Sequence, residues 1–136
     1  MVRAKHIHHM NIVVNDLEKA RDFYGRILGL PAIKRPNIAQ PGLWFGCEAN
    51  ELHISFRQEL KSGRTNLSLY GQERGKEGRH VAFTMDGSPD DIAKHLEEEG
   101  VPYVRGTAGL PQIFCEDPAG NFIELNTGWY QAPLRS

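Results

Sequence analysis

Few of the features that would assign this chain to a special class are present. Cysteine is scarce: Cys47 and Cys115 are the only two in 136 residues, too few for a disulfide framework, so a reducing cytoplasm is the expected setting. No apolar run approaches the ~18 residues of a membrane span. The opening residues, Met1 to His6, lead into a strand pattern without the apolar stretch of a secretory signal. Charge of one sign is also missing. The 16 basic and 17 acidic residues leave a net charge of −1, so there is no field to hold nucleic acid and no polybasic segment to hold an anionic membrane. What remains is 40% apolar and 24% charged, a composition able to bury one domain's core and stay dissolved. Histidine is better represented, at positions 6, 8, 9, 53, 80 and 95.

An internal repeat organises the chain. Leu28-Gly29-Leu30-Pro31 matches Glu99-Gly100-Val101-Pro102 at an offset of 71, and the same offset carries His9 onto His80 and His53 onto Glu124. His9 and His80 each open a strand pattern that leads to a helix, a Gly stop and a Pro. The spacing predicts strands at 7–14, 31–36, 43–48 and 51–57 in the first copy. Asn15 or Asp16 caps a helix over 17–28, with Leu17, Ala20, Phe23, Tyr24, Ile27 and Leu28 on one stripe. The second copy reads as strands at 79–85, 103–106, 111–115 and 121–126, with a helix over 89–99 opened by Ser88-Pro89. Each copy is βαβββ. Module one covers about 5–60, a connector rich in Gly, Lys, Arg and Glu about 61–78, and module two about 79–128.

Strand alternation sorts the polar residues. Met10, Ile12 and Val14 share the face that packs under a helix, and His9, Asn11 and Val13 face away. The same parity sends Glu51, His53, Ser55 and Arg57 away from Leu52, Ile54 and Phe56. It separates His80, Ala82 and Thr84 from Val81, Phe83 and Met85, and Phe122, Glu124 and Asn126 from Ile123 and Leu125. His9, His53, His80 and Glu124 therefore share one kind of face at equivalent places in two repeats. A solvated sheet face is the simplest account of polar residues there, but three imidazoles and a carboxylate have metal-binding character. A pseudo-twofold between the repeats would bring two equivalent pairs toward one axis, with Glu124 the repeat mate of His53. Trp44, Phe45 and Phe122 are candidates to line an apolar pocket. Asn11, Asn126 and Arg57 are candidates to contact a substrate, Arg57 through its fork of donors. His6 and His8 read as surface residues on the side of the first strand opposite His9.

The runs from His9 to Ala20, Phe23-Tyr24 with Leu28-Gly29-Leu30, His80-Val81-Ala82-Phe83, and Asp117 to Leu125 resemble the vicinal oxygen chelate superfamily, the glyoxalase, bleomycin-resistance and dioxygenase group. The resemblance implies an α+β fold of two βαβββ modules whose curved mixed sheets form a cup around a divalent transition metal: zinc, nickel, iron, manganese or cobalt. Carried over by position, His9, His80 and Glu124 are its ligands. His53 stands where glyoxalase I carries a glutamate that moves a proton, which leaves it as ligand, base or pocket lining; as the repeat mate of the ligand Glu124 it is expected to approach the same ion as a fourth ligand. The expected function is metal-dependent lyase or isomerase chemistry on a small molecule with two neighbouring oxygens, stabilising an enolate-like intermediate. The alternatives are an Fe(II) extradiol-type dioxygenase, a thiol transferase to an epoxide antibiotic, and a non-catalytic drug-binding resistance protein. A homodimer is the expected assembly.

Overall fold

The computed structural model describes residues 1–59 and 80–129; the expected connector at 61–78, residue 79 and the end of the tail lie outside the described residues. Contacts divide the chain into two units. The first comprises Met1–Arg64 with Asp117–Asn121, and the second Thr65–Glu116 with Phe122–Ser136. The architecture is α+β, with one mixed sheet in each unit.

In the first unit, β1 (His9–Val14) lies parallel to β3 (Asn50–Phe56), and β3 runs antiparallel to β2 (Gly42–Cys47), in the order β1-β3-β2. Helix α1 opens over Leu17–Ala20, where the Asp16 carboxylate accepts from the Lys19 N–H at 3.0 Å. It continues over Arg21–Ile27 with π-helical spacing rather than the α-helix that the apolar stripe suggests. The stripe is nevertheless buried: Ala20, Phe23, Tyr24, Ile27 and Leu28 all join the core with Ile12, Val14, Leu43, Phe45, Leu52 and Ile54. Gly29, at φ 74, ends the helix in a conformation that favours glycine.

The expected strand at 31–36 shrinks to one bridge, Ala32 to Phe45. Pro31 and Pro36 bracket it and offer no N–H. What survives is Ile33 N–H to Trp44 O at 3.0 Å and Gly46 N–H to Pro31 O at 2.8 Å. The β2–β3 hairpin turns at Glu48-Ala49, one residue earlier than the gap between the strands expected at 43–48 and 51–57, because Cys47 pairs with Asn50. Glu48 takes the positive φ of 48 that this tight turn needs.

In the second unit, β4 (Val81–Thr84), β5 (Tyr103–Arg105), β6 (Gln112–Glu116) and β7 (Phe122–Asn126) form a sheet ordered β4-β7-β6-β5. Helix α2 (Pro89–Glu98) buries Ile92, Ala93 and Leu96. Its start is a capping box: Asp91 N–H donates to Ser88 Oγ at 3.1 Å, and Ser88 N–H donates to the Asp91 carboxylate at 2.8 Å. The two ladders share a register. Asn11 lies opposite His53 in β1–β3, and Ala82 opposite Glu124 in β4–β7, both pairs parallel and both displaced by the sequence offset of 71. Among the described residues no helix is long and apolar enough to cross a membrane.

The Asp117–Asn121 turn joins β6 to β7 in sequence but groups with the first unit. Asp117 is 1% exposed. Its carboxylate accepts from Tyr24 Oη at 2.6 Å, Asn121 Nδ2 at 2.8 Å, and the N–H groups of Ala119 and Asn121 at 2.9 and 2.8 Å.

Two outcomes follow from these bonds. Tyr24→Phe takes a donor from a buried carboxylate and should cost about 1.5–3 kcal/mol, seen as a lower urea midpoint with an unchanged slope. The Ser88 N–H and hydroxyl hold the Asp91 carboxyl below its usual range. The cap's contribution is therefore complete above the ordinary aspartate pKa and is lost as pH falls through the depressed one. Asp91→Asn should flatten that acid limb of a melting-temperature profile, and an unaltered profile would show that the cap carries no pH dependence.

Candidate metal and proton-transfer site

In the first unit, register and parity place His9 and Asn11 of β1, Trp44 of β2, and Glu51, His53 and Ser55 of β3 on one face. His53 lies opposite Asn11 on one side and opposite Trp44 on the other. A directly opposed pair brings its Cβ atoms ~4.5–5.5 Å apart, close enough for flat side chains to stack. The indole of Trp44 lies 3.8 Å from the His53 ring, at 2° between planes. His9, two residues off register, stacks at 4.1 Å and 16°. His53 is thereby only 9% exposed, in contrast to the wet face that alternation alone allows. Its Nε2 lies 2.7 Å from Glu51 Oε2. An ionised carboxylate only accepts, so the imidazole donates.

Around this stack, Ser55 Oγ donates to Asn11 Oδ1 at 2.8 Å. Arg57 is exposed and donates to Gln40 Oε1 at 3.2 Å and to the Phe56 carbonyl at 2.8 Å. His8 is exposed, as expected, but its Nδ1 lies 3.0 Å from His9 Nδ1, so it touches a candidate ligand. Phe45 leaves the candidate pocket: it is 2% exposed and packs in the core. It also helps line a 520 Å³ cleft with Gly25, Leu30 and Ala32, which contains no other candidate site residue.

In the second unit, His80 precedes β4, and its Nε2 lies 3.5 Å from Glu124 Oε1. Glu124 is 3% exposed. Its carboxylate accepts from Gln112 Nε2 and from Asn126 Nδ2, each at 2.7 Å. Asn126 Oδ1 accepts from Thr84 Oγ1 and from the Gly128 N–H, both at 3.0 Å. Phe122 stacks on Phe114 at 5.5 Å and 7°, and the His80 ring meets both edge-on, at 5.9 and 6.2 Å.

The structure thus brings together His9, His53, Trp44 and Asn11 in one unit, and His80, Glu124, Asn126 and Phe122 in the other. Arg57 is engaged elsewhere. Among the described residues, no three His, Cys, Asp or Glu side chains form a group that could hold a metal. The donor chemistry nonetheless suits a divalent first-row ion, with imidazole nitrogens and a buried carboxylate whose described partners are amides and an imidazole. Sequence reasoning put Glu51 on this face without giving it a role, and it missed Gln112 and Phe114. Glu51 is two residues from His53 and so shares its face. Gln112 and Phe114 lie opposite Asn126 and Glu124 in β6–β7.

The sequence model of the Glyoxalase/Bleomycin resistance protein/Dioxygenase superfamily matches residues 6–125. A glyoxalase domain-containing protein, RDO1, of Mycosarcoma maydis is 25% identical, over 91% of this chain and 69% of its own length. Among solved structures, a glyoxalase-family protein of Bacillus anthracis superposes with a TM-score of 0.72 at 24% identity, covering 92% of this chain and 96% of that one. The fosfomycin resistance protein FosX of Mesorhizobium loti gives 0.68 at 19%, covering 93% and 94%. A lactoylglutathione lyase of Agrobacterium tumefaciens gives 0.63 at 20%, covering 90% and 93%.

The amide clamp on Glu124 has a measurable consequence. Gln112→Leu keeps most of the side-chain volume but removes the donor to Oε1, leaving a buried oxygen short of a partner. Stability should fall by about 1–3 kcal/mol, read from the urea midpoint; an unmoved midpoint would show that this bond contributes nothing.

Proposed function

This chain belongs to the Glyoxalase/Bleomycin resistance protein/Dioxygenase superfamily, and from that membership we propose a metal-dependent enzyme that moves a proton on a small molecule carrying two neighbouring oxygens, in lyase or isomerase chemistry. The observation that carries the reading is the pairing of donors at equivalent positions of two repeats: His9 with His53 at 4.1 Å and His80 with Glu124 at 3.5 Å.

In this reading His9, His80 and Glu124 hold one divalent ion: zinc, nickel, iron, manganese or cobalt. When bound, such an ion supplies Lewis-acid charge to two adjacent substrate oxygens. Two imidazoles and one carboxylate leave positions open for those oxygens, and a fourth protein ligand would close one. His53 is therefore assigned to proton transfer rather than to the ion. A carboxylate behind the imidazole and rings on both faces restrict its orientation, which proton transfer needs. Trp44 and Phe122 supply apolar surface for the substrate, and Asn11 and Asn126 hold polar neighbours in place. Family resemblance also supports a homodimer, checked by sedimentation for a species of twice 15.3 kDa.

The test combines elemental analysis with exchange. Protein purified without a tag should contain one transition-metal ion per chain, and Glu124→Gln should lower that content sharply. With α-hydroxycarbonyl compounds in D2O, the loaded protein should place deuterium on the carbon beside the oxygen. His53→Ala should keep the metal and slow exchange by about 10²–10⁴-fold. Loss of metal in His53→Ala would return His53 to the ligand set. Oxygen consumption with a catechol and no deuterium exchange would replace the reading with the dioxygenase one.

A further inference from the structure

Glu51, the carboxylate behind the His53 imidazole, does more than restrict the orientation of the ring. Its Oε2 lies 2.7 Å from His53 Nε2. The contact is built by the fold. Positions 51 and 53 of β3 are consecutive on one face, and the β1–β3 register sets Glu51 opposite His9. The His53 ring is sandwiched between Trp44 at 3.8 Å and His9 at 4.1 Å. The stack fixes the plane of the ring but does not distinguish a ring from the same ring turned over, nor one tautomer from the other. The carboxylate does both. It has no proton to give, so the nitrogen facing it must carry one, and turning the ring over would bring a carbon to that position.

We propose that Glu51 is the positioning residue of the site: by accepting the His53 Nε2–H it holds the neutral imidazole as the Nε2–H tautomer, leaving Nδ1 as the ring nitrogen with a lone pair. Resting on the proposed proton transfer, this names the atom that works: Nδ1 takes the substrate proton, while the bond from Nε2 to the carboxylate stays in place. A histidine's working nitrogen is commonly set by the hydrogen bond that its other nitrogen makes. Here that bond comes from the same strand, and it is independent of any ion.

The test reads the ring itself in the metal-free full-length protein, in mildly alkaline buffer. Long-range proton–nitrogen correlation spectra of nitrogen-15-labelled protein should give His53 the pattern of a single Nε2–H tautomer, with a slowly exchanging Nε2 proton. Glu51→Ala should lose that proton signal and move both ring nitrogens toward tautomer-averaged shifts. Glu51→Gln brings both a carbonyl acceptor and N–H donors to the ring, so it should leave the tautomers mixed, with far-UV circular dichroism confirming the fold of each variant. An Nδ1–H pattern in the wild type, or a ring spectrum that Glu51→Ala leaves unchanged, would overturn the assignment. Its fate is separable from that of the enzymatic reading: a locked tautomer in a protein that binds no metal and exchanges no substrate proton would leave Glu51 as assigned and remove the chemistry proposed for His53.

Discussion

The first unit depends on a buried charge that must be satisfied. Asp117 is 1% exposed, and an ionised carboxylate so placed is costly unless its lone pairs are filled. Four donors fill them, from the Tyr24 hydroxyl of α1, the Asn121 amide, and two backbone N–H groups of the turn itself. Asn121 Nδ2 also donates to the Val13 carbonyl at 2.9 Å. One carboxylate therefore fixes the turn, the helix and the end of β1 together. The Asp117-to-Asn121 segment is first unit by contact although its chain neighbours are strands of the second.

The candidate residues inherit their positions from strand pairing rather than from loops. In both sheets a parallel pair, β1–β3 or β4–β7, carries the imidazoles and carboxylate, and an antiparallel neighbour, β2 or β6, covers them with aromatic rings. Trp44 does this for His53, and Phe114 lies opposite Glu124 in the same way. Three polar groups on these faces lose most of their water, His53, Glu124 and Asn126 at 9%, 3% and 5% exposed, while His9, Asn11 and His80 stay exposed. Each keeps a hydrogen-bond partner from the same face, as buried polar atoms require.

Alternation makes the faces legible in the amino-acid order itself. The parity that separates His9 from Ile12, or Glu124 from Ile123, follows from the geometry of a strand and survives folding intact. Helix α2 is equally legible, because Ser88-Pro89 marks its start and Gly100 its end. Other features leave no such mark. Phe23-Tyr24 and Ile27-Leu28 are four residues apart, a spacing that an α-helix and a π-helix both bring to one side, so the apolar stripe does not reveal the wider turn. The segment at 31–36 reads as a strand, but its prolines have no N–H to donate. The hairpin turn at Glu48 carries neither Gly nor Asn where φ is positive. Around the site, alternation names which residues share a face but not which stand opposite one another. Gln112 and Phe114 become visible only once the β6–β7 register sets them beside Asn126 and Glu124.

The stacking of Trp44 on His53 also gives the protein an optical property. An imidazole in van der Waals contact with an indole, at 3.8 Å between centroids, is a quencher of its emission once the ring is protonated and able to accept an electron. Trp129, the other tryptophan, is 42% exposed and emits as a solvated indole. The chain therefore has one exposed indole and one half-buried indole whose emission depends on how a single histidine ring lies against it. Intrinsic fluorescence thus becomes a direct report on that ring, available without a label.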